Sequence, residues 1–262
     1  MIKGVLLDLA GVVYLGESMI PGAGEAIARL RDAGLPLRFV TNTTRMSKTG
    51  IVDRLARIGL LIDNDELVTP AEAARTWLVA NRRSPHLLVH PALVEDFAGL
   101  PDFPDKAVVV GDAGRDFTYD TLNDAFRALS GDADLLALAK NRTFRDDDGD
   151  LSLDAGAFVT ALEYASRREA VVLGKPAPAF YAAAAAGAGC AMTEAVMVGD
   201  DIEADVSGAL DAGIGAALLV RTGKYTAGIE DGATPPPTAV VDDLAAAATW
   251  ILAHRNDPAA IG

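Results

Sequence analysis

The strongest constraint on the fold is an alternation. Short apolar runs with no surface-strand periodicity are separated by stretches with helical spacing, the pattern of βαβ units on a parallel sheet. GVLLDLA (4–10) reads as a buried strand, GAGEAIARLRDAG (22–34) as a helix, PLRFVTN (36–42) as a strand and KTGIVDRLARIG (48–59) as a helix. A brief ELVT strand (66–69) leads into PAEAARTWLVANRR (70–83), a helix with Pro in its first turn. The alternation then restarts: HLLVH (86–90), LVEDFAGL (93–100), AVVVGD (107–112), FTYDTLNDAFRALSG (117–131), DLLALAKN (134–141) and the helix AGAFVTALEYASRR (155–168), with a turn predicted in RDDDGDLSL (145–153). A third block carries the strands AVVLGK, AVMVGD and GAALLVRTG and a closing helix in AVVDDLAAAATWILAHR (239–255). The expected architecture is α/β: a doubly wound, Rossmann-like parallel-sheet core from residues 1–79 and 171–262, interrupted by an inserted α/β domain over 80–170.

In open parallel sheets ligands bind beyond the carboxyl ends of the strands, so the polar residues found there are the candidates for chemistry. Strand one ends in Asp8, the next in Thr41 and Asn42, AVVLG is followed by Lys175, and AVMVG by Asp200 and Asp201. Carboxylates beside a hydroxyl suit a hard cation such as Mg²⁺, and Lys with Thr suits a phosphoryl group. The set points to metal-assisted phosphoryl transfer. Each member also has a plain structural reading: Asp after a strand starts turns, Thr and Asn cap helices, Lys175 before Pro176 is a solvated loop lysine, and Asp200, Asp201, Glu203 and Asp205 complement a helix dipole.

Composition narrows the partners. A net charge of −14 and a pI near 4.5 repel nucleic-acid backbone and anionic membrane, so neither is expected as a partner. The same field makes local cations or a metal necessary for any phosphate site. No apolar run approaches a membrane span, Asp8 interrupts the N-terminal run too early for a secretory leader, and the single cysteine, Cys190, reads as a small core residue. These features together lead us to expect a cytoplasmic, soluble protein.

The motifs DLAGVV, VTNTT, GKPAP and GDDIEAD, in this order and separation, resemble the four motifs of the haloacid dehalogenase (HAD) superfamily. The insert between the second and third resembles the cap of its subfamily IIA. DFTYDTLNDAFRAL, DGDLSLDAGAFVTALEYA and VVLGKPAPAFY are most similar to the branch of phosphatases acting on phospholysine, phosphohistidine and pyrophosphate. The resemblance implies a phosphatase with Asp8 as nucleophile, forming an aspartyl-phosphate. It implies Mg²⁺ held by Asp8, Asp200 and the main-chain carbonyl of Ala10, with Asp201 and Asp205 orienting the metal shell. Thr41 and Asn42 would hold the phosphoryl oxygens and Lys175 would neutralise their charge. A cap that chooses the small phosphorylated substrate, and a homodimer through that cap, are further implications.

The sequence departs from the family at Ala10, where typical members place an acid/base Asp. A methyl group keeps the backbone role and loses proton transfer, a contribution of about 10²–10⁴-fold. The expected substrates are therefore those with good leaving groups: aryl phosphates, pyrophosphate and phosphoramidates. The alternative is a weakly active or non-catalytic phosphate-binding protein. In the insert, Lys140, Arg142, Arg145 and Arg115 are candidates to face an anionic substrate. His86 and His90 read as structural, and Asp112 only superficially resembles the metal motif.

Overall fold

The computed structural model describes residues 1–145 and 150–257. In chain order, β1 (Gly4–Asp8) is followed by a small hairpin, β2 (Tyr14–Leu15) and β3 (Ser18–Met19), then α1 (Ala23–Asp32), β4 (Leu37–Val40), α2 (Lys48–Arg57) and β5 (Leu67–Val68). Next come α3 (Pro70–Ala80), β6 (Ser84–Leu88), β7 (Lys106–Val110), α4 (Tyr119–Ser130) and β8 (Asp134–Ala137). They are followed by β9 (Thr143–Arg145), β10 (Leu151–Leu153), α5 (Ala155–Ser166) and β11 (Val171–Val172). Last are α6 (Pro178–Gly187), β12 (Ala195–Gly199), α7 (Gly208–Asp211), β13 (Ala216–Val220), β14 (Ala239–Val241) and α8 (Leu244–His254). Among the described residues no helix is long and apolar enough to cross a membrane.

The chain divides into two compact units. The first contains Met1–Thr41, Val52–Val68 and Lys175–Gly262. Its sheet is all parallel in the order β14-β13-β12-β1-β4-β5. Strands β1, β12 and β13 are buried along their whole length, which explains why they read as continuous apolar runs rather than alternating ones. One face packs Leu6, Val40, Met197 and Leu219 against Phe180, Tyr181 and Ala184 of α6 and Ala209 of α7. On α8, Ala247, Ala248 and Ile251 are buried, and the helix lies against α1 and strands β12–β14. From β1 the order runs outward to β4 and β5 on one side and to β12, β13 and β14 on the other. The sheet therefore has its switch point at β1 and β12, where Asp8 and Asp200 emerge.

The second unit contains Asn42–Ile51 and Thr69–Gly174, with a parallel sheet ordered β11-β8-β7-β6. Period-two alternation sorts its residues cleanly. Ala107, Val109 and Leu136 face Ala71, Ala74 and Leu78 of α3. Val108, Val110, Leu135 and Ala137 face Ala125 and Leu129 of α4 and Val159 and Leu162 of α5. Strands β9 and β10 pair antiparallel. The turn expected between them falls largely on residues 146–149, outside the described residues.

Two features differ from the sequence reading. Helix α3 and residues 42–51 group with the inserted unit, whereas the apolar pattern suggested an insert over 80–170; the buried contacts of Ala71, Ala74 and Leu78 account for the shift. The strand before Lys175 is also not a core strand. Val171 and Val172 pair with Leu136 and Ala137 of β8, in the second unit's sheet. Lys175 is thus delivered by the segment returning to the core, not by a core strand end.

Candidate active site

Asp8 closes β1, and its register partner is Val40, the last residue of β4. Thr41 therefore follows at the neighbouring strand end, where it is buried. Asp200 follows β12 directly. After it the chain winds as a π-helix over Ile202–Ser207, a form that recurs at functional sites. Asp201 caps this turn, its Oδ1 accepting the amides of Glu203 and Ala204 at 3.1 and 3.0 Å. The winding turns Asp205 inward until it is 1% exposed. Gly199 makes this possible, since a Cβ there would run into the Asp205 side chain. Tyr181 of α6 supports the same turn by donating its hydroxyl proton to the Ala204 carbonyl.

Lys175 sits at the centre. Its Nζ donates to Oδ1 of Asp8 at 2.5 Å and to Oδ1 of Asp205 at 2.6 Å, and all three side chains are buried. Asp8, Asp200 and Asp205 each offer an oxygen within 4.8 Å of the others. Burial pushes the Asp8 carboxyl above its usual range; Lys175 opposes the shift and Asp200 adds to it. Burial, then Asp205, raises Asp200 to about 6. Burial, against the pull of Lys175, raises Asp205 to about 7. Burial alone would weaken the Lys175 ammonium, but Asp205 and Asp8 outweigh it and hold the lysine above its ordinary value.

This donor set fits a hard divalent cation. Three buried carboxylates lie together while the Lys175 ammonium bonds only two of them, Asp8 and Asp205, and excess buried negative charge of this kind is relieved by a metal. Among the described residues, hydrogen bonds use only Oδ1 of Asp8 and only Oδ2 of Asp200. Asp205 is different: Oδ1 takes Lys175 and Oδ2 takes the Asp201 amide at 3.2 Å. Asp8 and Asp200 therefore each keep an oxygen that could reach a cation, whereas both oxygens of Asp205 are engaged, one of them by Lys175. No hydrogen bond among the described residues reaches the Ala10 carbonyl. The Ala10 side chain is exposed, so a methyl group stands where the family places an acid.

A fourth core strand end joins the site. After β13, Thr222 donates its hydroxyl proton to the Gly11 carbonyl, and the Lys224 amide donates to Oδ2 of Asp200 at 2.8 Å. Lys224 Nζ pairs with Oδ2 of Asp201 at 2.8 Å. Gly11 and Gly223, both at positive φ, enclose the Asp200 carboxylate so tightly that a Cβ on either would strike it. From sequence alone Thr222 and Gly223 read as the tail of the strand GAALLVRTG, with Lys224 just beyond it. The rule that found Asp8 and Asp200, polar residues after an apolar run, points to them equally.

The second unit gathers other candidates. Asn42 is half-buried and opens that unit. A cavity of about 600 Å³ is lined by Arg45, Asp112, Arg115, Phe117, Phe144 and Phe158, among others. Arg45 Nε donates to Oδ2 of Asp112 at 2.5 Å, and its guanidinium lies 4.4 Å from the Phe144 ring centre. Asp112 also accepts the Gly114 amide, so it serves an ion pair and a turn. Lys140 is tied to Glu163 at 2.8 Å. His90 Nδ1 accepts the Ala92 amide, a structural role. His86 is half-buried, and burial lowers its pKa.

Comparison with known proteins is consistent with this geometry. A family profile described as haloacid dehalogenase-like hydrolase matches residues 5–100, and a second HAD-hydrolase-like profile matches residues 172–247. The chain is 44% identical over 253 residues to haloacid dehalogenase-like hydrolase domain-containing protein 2 of Homo sapiens, covering 97% of each chain. It is 40% identical over 260 residues to the phospholysine phosphohistidine inorganic pyrophosphate phosphatase of Danio rerio, covering 97% of this chain and 96% of the relative. Among solved structures, the p-nitrophenyl phosphatase from Archaeoglobus fulgidus superposes with a TM-score of 0.86 at 25% identity, covering 95% of this chain and 98% of the other. A glycerol phosphate phosphatase from Mycobacterium tuberculosis, in complex with magnesium, gives 0.80 at 29% identity, covering 92% and 75%.

Proposed function

Because this chain belongs to the haloacid dehalogenase-like hydrolase family, we propose that it is a Mg²⁺-dependent phosphatase of small phosphorylated compounds whose leaving groups depart with little help. The observation that carries this reading is Asp8: a buried strand-end carboxylate with one oxygen held by Lys175 and the carboxylate of Asp200 beside it. In the first step Asp8 attacks phosphorus in line. The new bond joins its carboxylate oxygen to phosphorus, the bond to the leaving group breaks, and that group departs with the electron pair. Water then attacks the aspartyl-phosphate, releasing inorganic phosphate and restoring the carboxylate. Lys175 stays protonated throughout and offsets charge on the nucleophile and the transferring group. Thr41 binds the phosphoryl oxygens. Asp8, Asp200 and the Ala10 carbonyl would hold Mg²⁺, which when bound supplies positive charge against those oxygens.

Ala10 sets the substrate class. With no acid at this position the leaving group must carry its own charge away, which favours aryl phosphates, pyrophosphate and phosphoramidates over alkyl esters. The names of the pyrophosphate phosphatase and p-nitrophenyl phosphatase relatives support that choice, whereas the glycerol phosphate phosphatase is named for an alkyl ester. The non-catalytic alternative finds no support, because nucleophile, lysine and carboxylate partner are all retained and assembled. The test is hydrolysis of para-nitrophenyl phosphate, pyrophosphate and phosphoramidate with Mg²⁺ and with EDTA. We expect Mg²⁺-dependent release of phosphate from these substrates and slower release, by about 10²-fold or more, from an alkyl phosphate. Absence of turnover on all three with Mg²⁺ present would contradict the proposal.

A further inference from the structure

We infer that Lys224 is the residue that sets the charge of the carboxylate cluster, trading divalent-cation affinity for phosphate affinity. The inference deepens the proposed function and rests on it. Its main chain and side chain do separable work. The amide, which any residue but proline would supply, holds Oδ2 of Asp200. The ammonium reaches Asp201, whose other oxygen is already fixed by the Glu203 and Ala204 amides. Removing the ammonium therefore subtracts a charge without dismantling the turn. The Lys224 side chain is 63% exposed, so its loss opens no buried void.

The charge balance shows what is at stake. Asp8, Asp200, Asp201 and Asp205 face two ammonium groups, Lys175 and Lys224. With the carboxylates ionised, two negative charges remain, matching one divalent cation. Without Lys224 three remain. A cation then binds more tightly and a phosphate dianion less tightly, since one added charge acts on the two with opposite sign. A residue that merely braced the loop would, when lost, weaken both.

The test compares the wild-type chain with Lys224→Met and Lys224→Arg. Mg²⁺ alone is titrated calorimetrically, and inhibition by inorganic phosphate and the KM for para-nitrophenyl phosphate are measured with Mg²⁺ saturating. For Lys224→Met we expect Mg²⁺ binding to tighten by about 3–10-fold while the phosphate inhibition constant and KM rise by a similar factor. Both effects should shrink at 0.5 M salt through screening. Lys224→Arg should restore wild-type values. Weakening of both Mg²⁺ and phosphate, or no change in either, overturns the inference. Failure of the wild-type chain to bind Mg²⁺ overturns the functional reading beneath it, a result distinguishable without the variants.

Discussion

The two units handle charge in contrasting ways. In the core, Asp8, Asp200 and Asp205 are buried around one lysine, and the carboxyls of Asp200 and Asp205 are driven up to about 6 and 7. In the inserted unit, Arg45 pairs one-to-one with Asp112 at the wall of a cavity, and the Arg45 side chain remains 44% exposed. The first arrangement leaves more carboxylate than ammonium buried, a balance that a further cation would offset. The second is already balanced. On the proposed function, the buried charge left in excess is where a metal and a phosphoryl group would be held, whereas a balanced, half-exposed pair braces a loop.

This contrast can be strained from either side. The largest effect is expected from restoring the missing acid: Ala10→Asp should raise kcat/KM on alkyl phosphates by about 10²–10⁴-fold while changing aryl phosphates far less. Parallel Michaelis–Menten measurements on the two classes check this, and an equal gain on both would mean Ala10 does not set leaving-group preference. Next in size is Lys175→Met. Asp8 and Asp205 lose their shared ammonium, and kcat should fall by about 10²–10³-fold with a smaller change in KM.

The raised carboxyls give the contrast a pH signature. Asp200 and Asp205 titrate near 6 and 7 in the fold against an ordinary value of 3.8. The native state therefore binds their protons more tightly than the unfolded state. Their burdens on stability are greatest above pH 7 and are relieved as pH falls through 7 and 6. In EDTA the chain should melt at a higher temperature at pH 5.5 than these groups allow at pH 8. Added Mg²⁺ should stabilise strongly at pH 8 and weakly at pH 5.5. Thermal unfolding at the two pH values, with and without Mg²⁺, measures this; equal metal stabilisation at both would break the link. The smallest effect belongs to the inserted unit. Arg45→Met should cost about 1–2 kcal/mol by urea unfolding, because Asp112 keeps the Gly114 amide and the pair is partly exposed.

The residues also show what one sequence can and cannot display. The strand-end positions of Asp8, Thr41 and Asp200 are legible because each lies at the end of an apolar run long enough to be recognised as a strand. Val171 and Val172 were assigned to the wrong sheet because periodicity identifies a strand but not its neighbour; their pairing with β8 is a tertiary choice. Lys224 follows an apolar run as Asp200 does, but its pairing with Asp201, 23 residues away in the chain, lies beyond any local pattern. The carboxylates at 201 and 205 were visible as a pair. That Asp205 faces Lys175 while Asp201 faces Lys224 depends on the π-winding, which spacing alone does not reveal.

On the proposed function, Asp8 is the nucleophile of a phosphoryl transfer. The most direct measurement of that role is turnover of para-nitrophenyl phosphate with saturating Mg²⁺ by the wild-type chain and by Asp8→Asn, with mass spectrometry of both after rapid acid quench. We predict a phosphorylated wild-type chain, with about 80 Da added at Asp8. For the variant we predict no adduct and a fall in kcat of about 10⁴-fold or more. Undiminished turnover by Asp8→Asn, or an adduct that persists in it, would contradict the account.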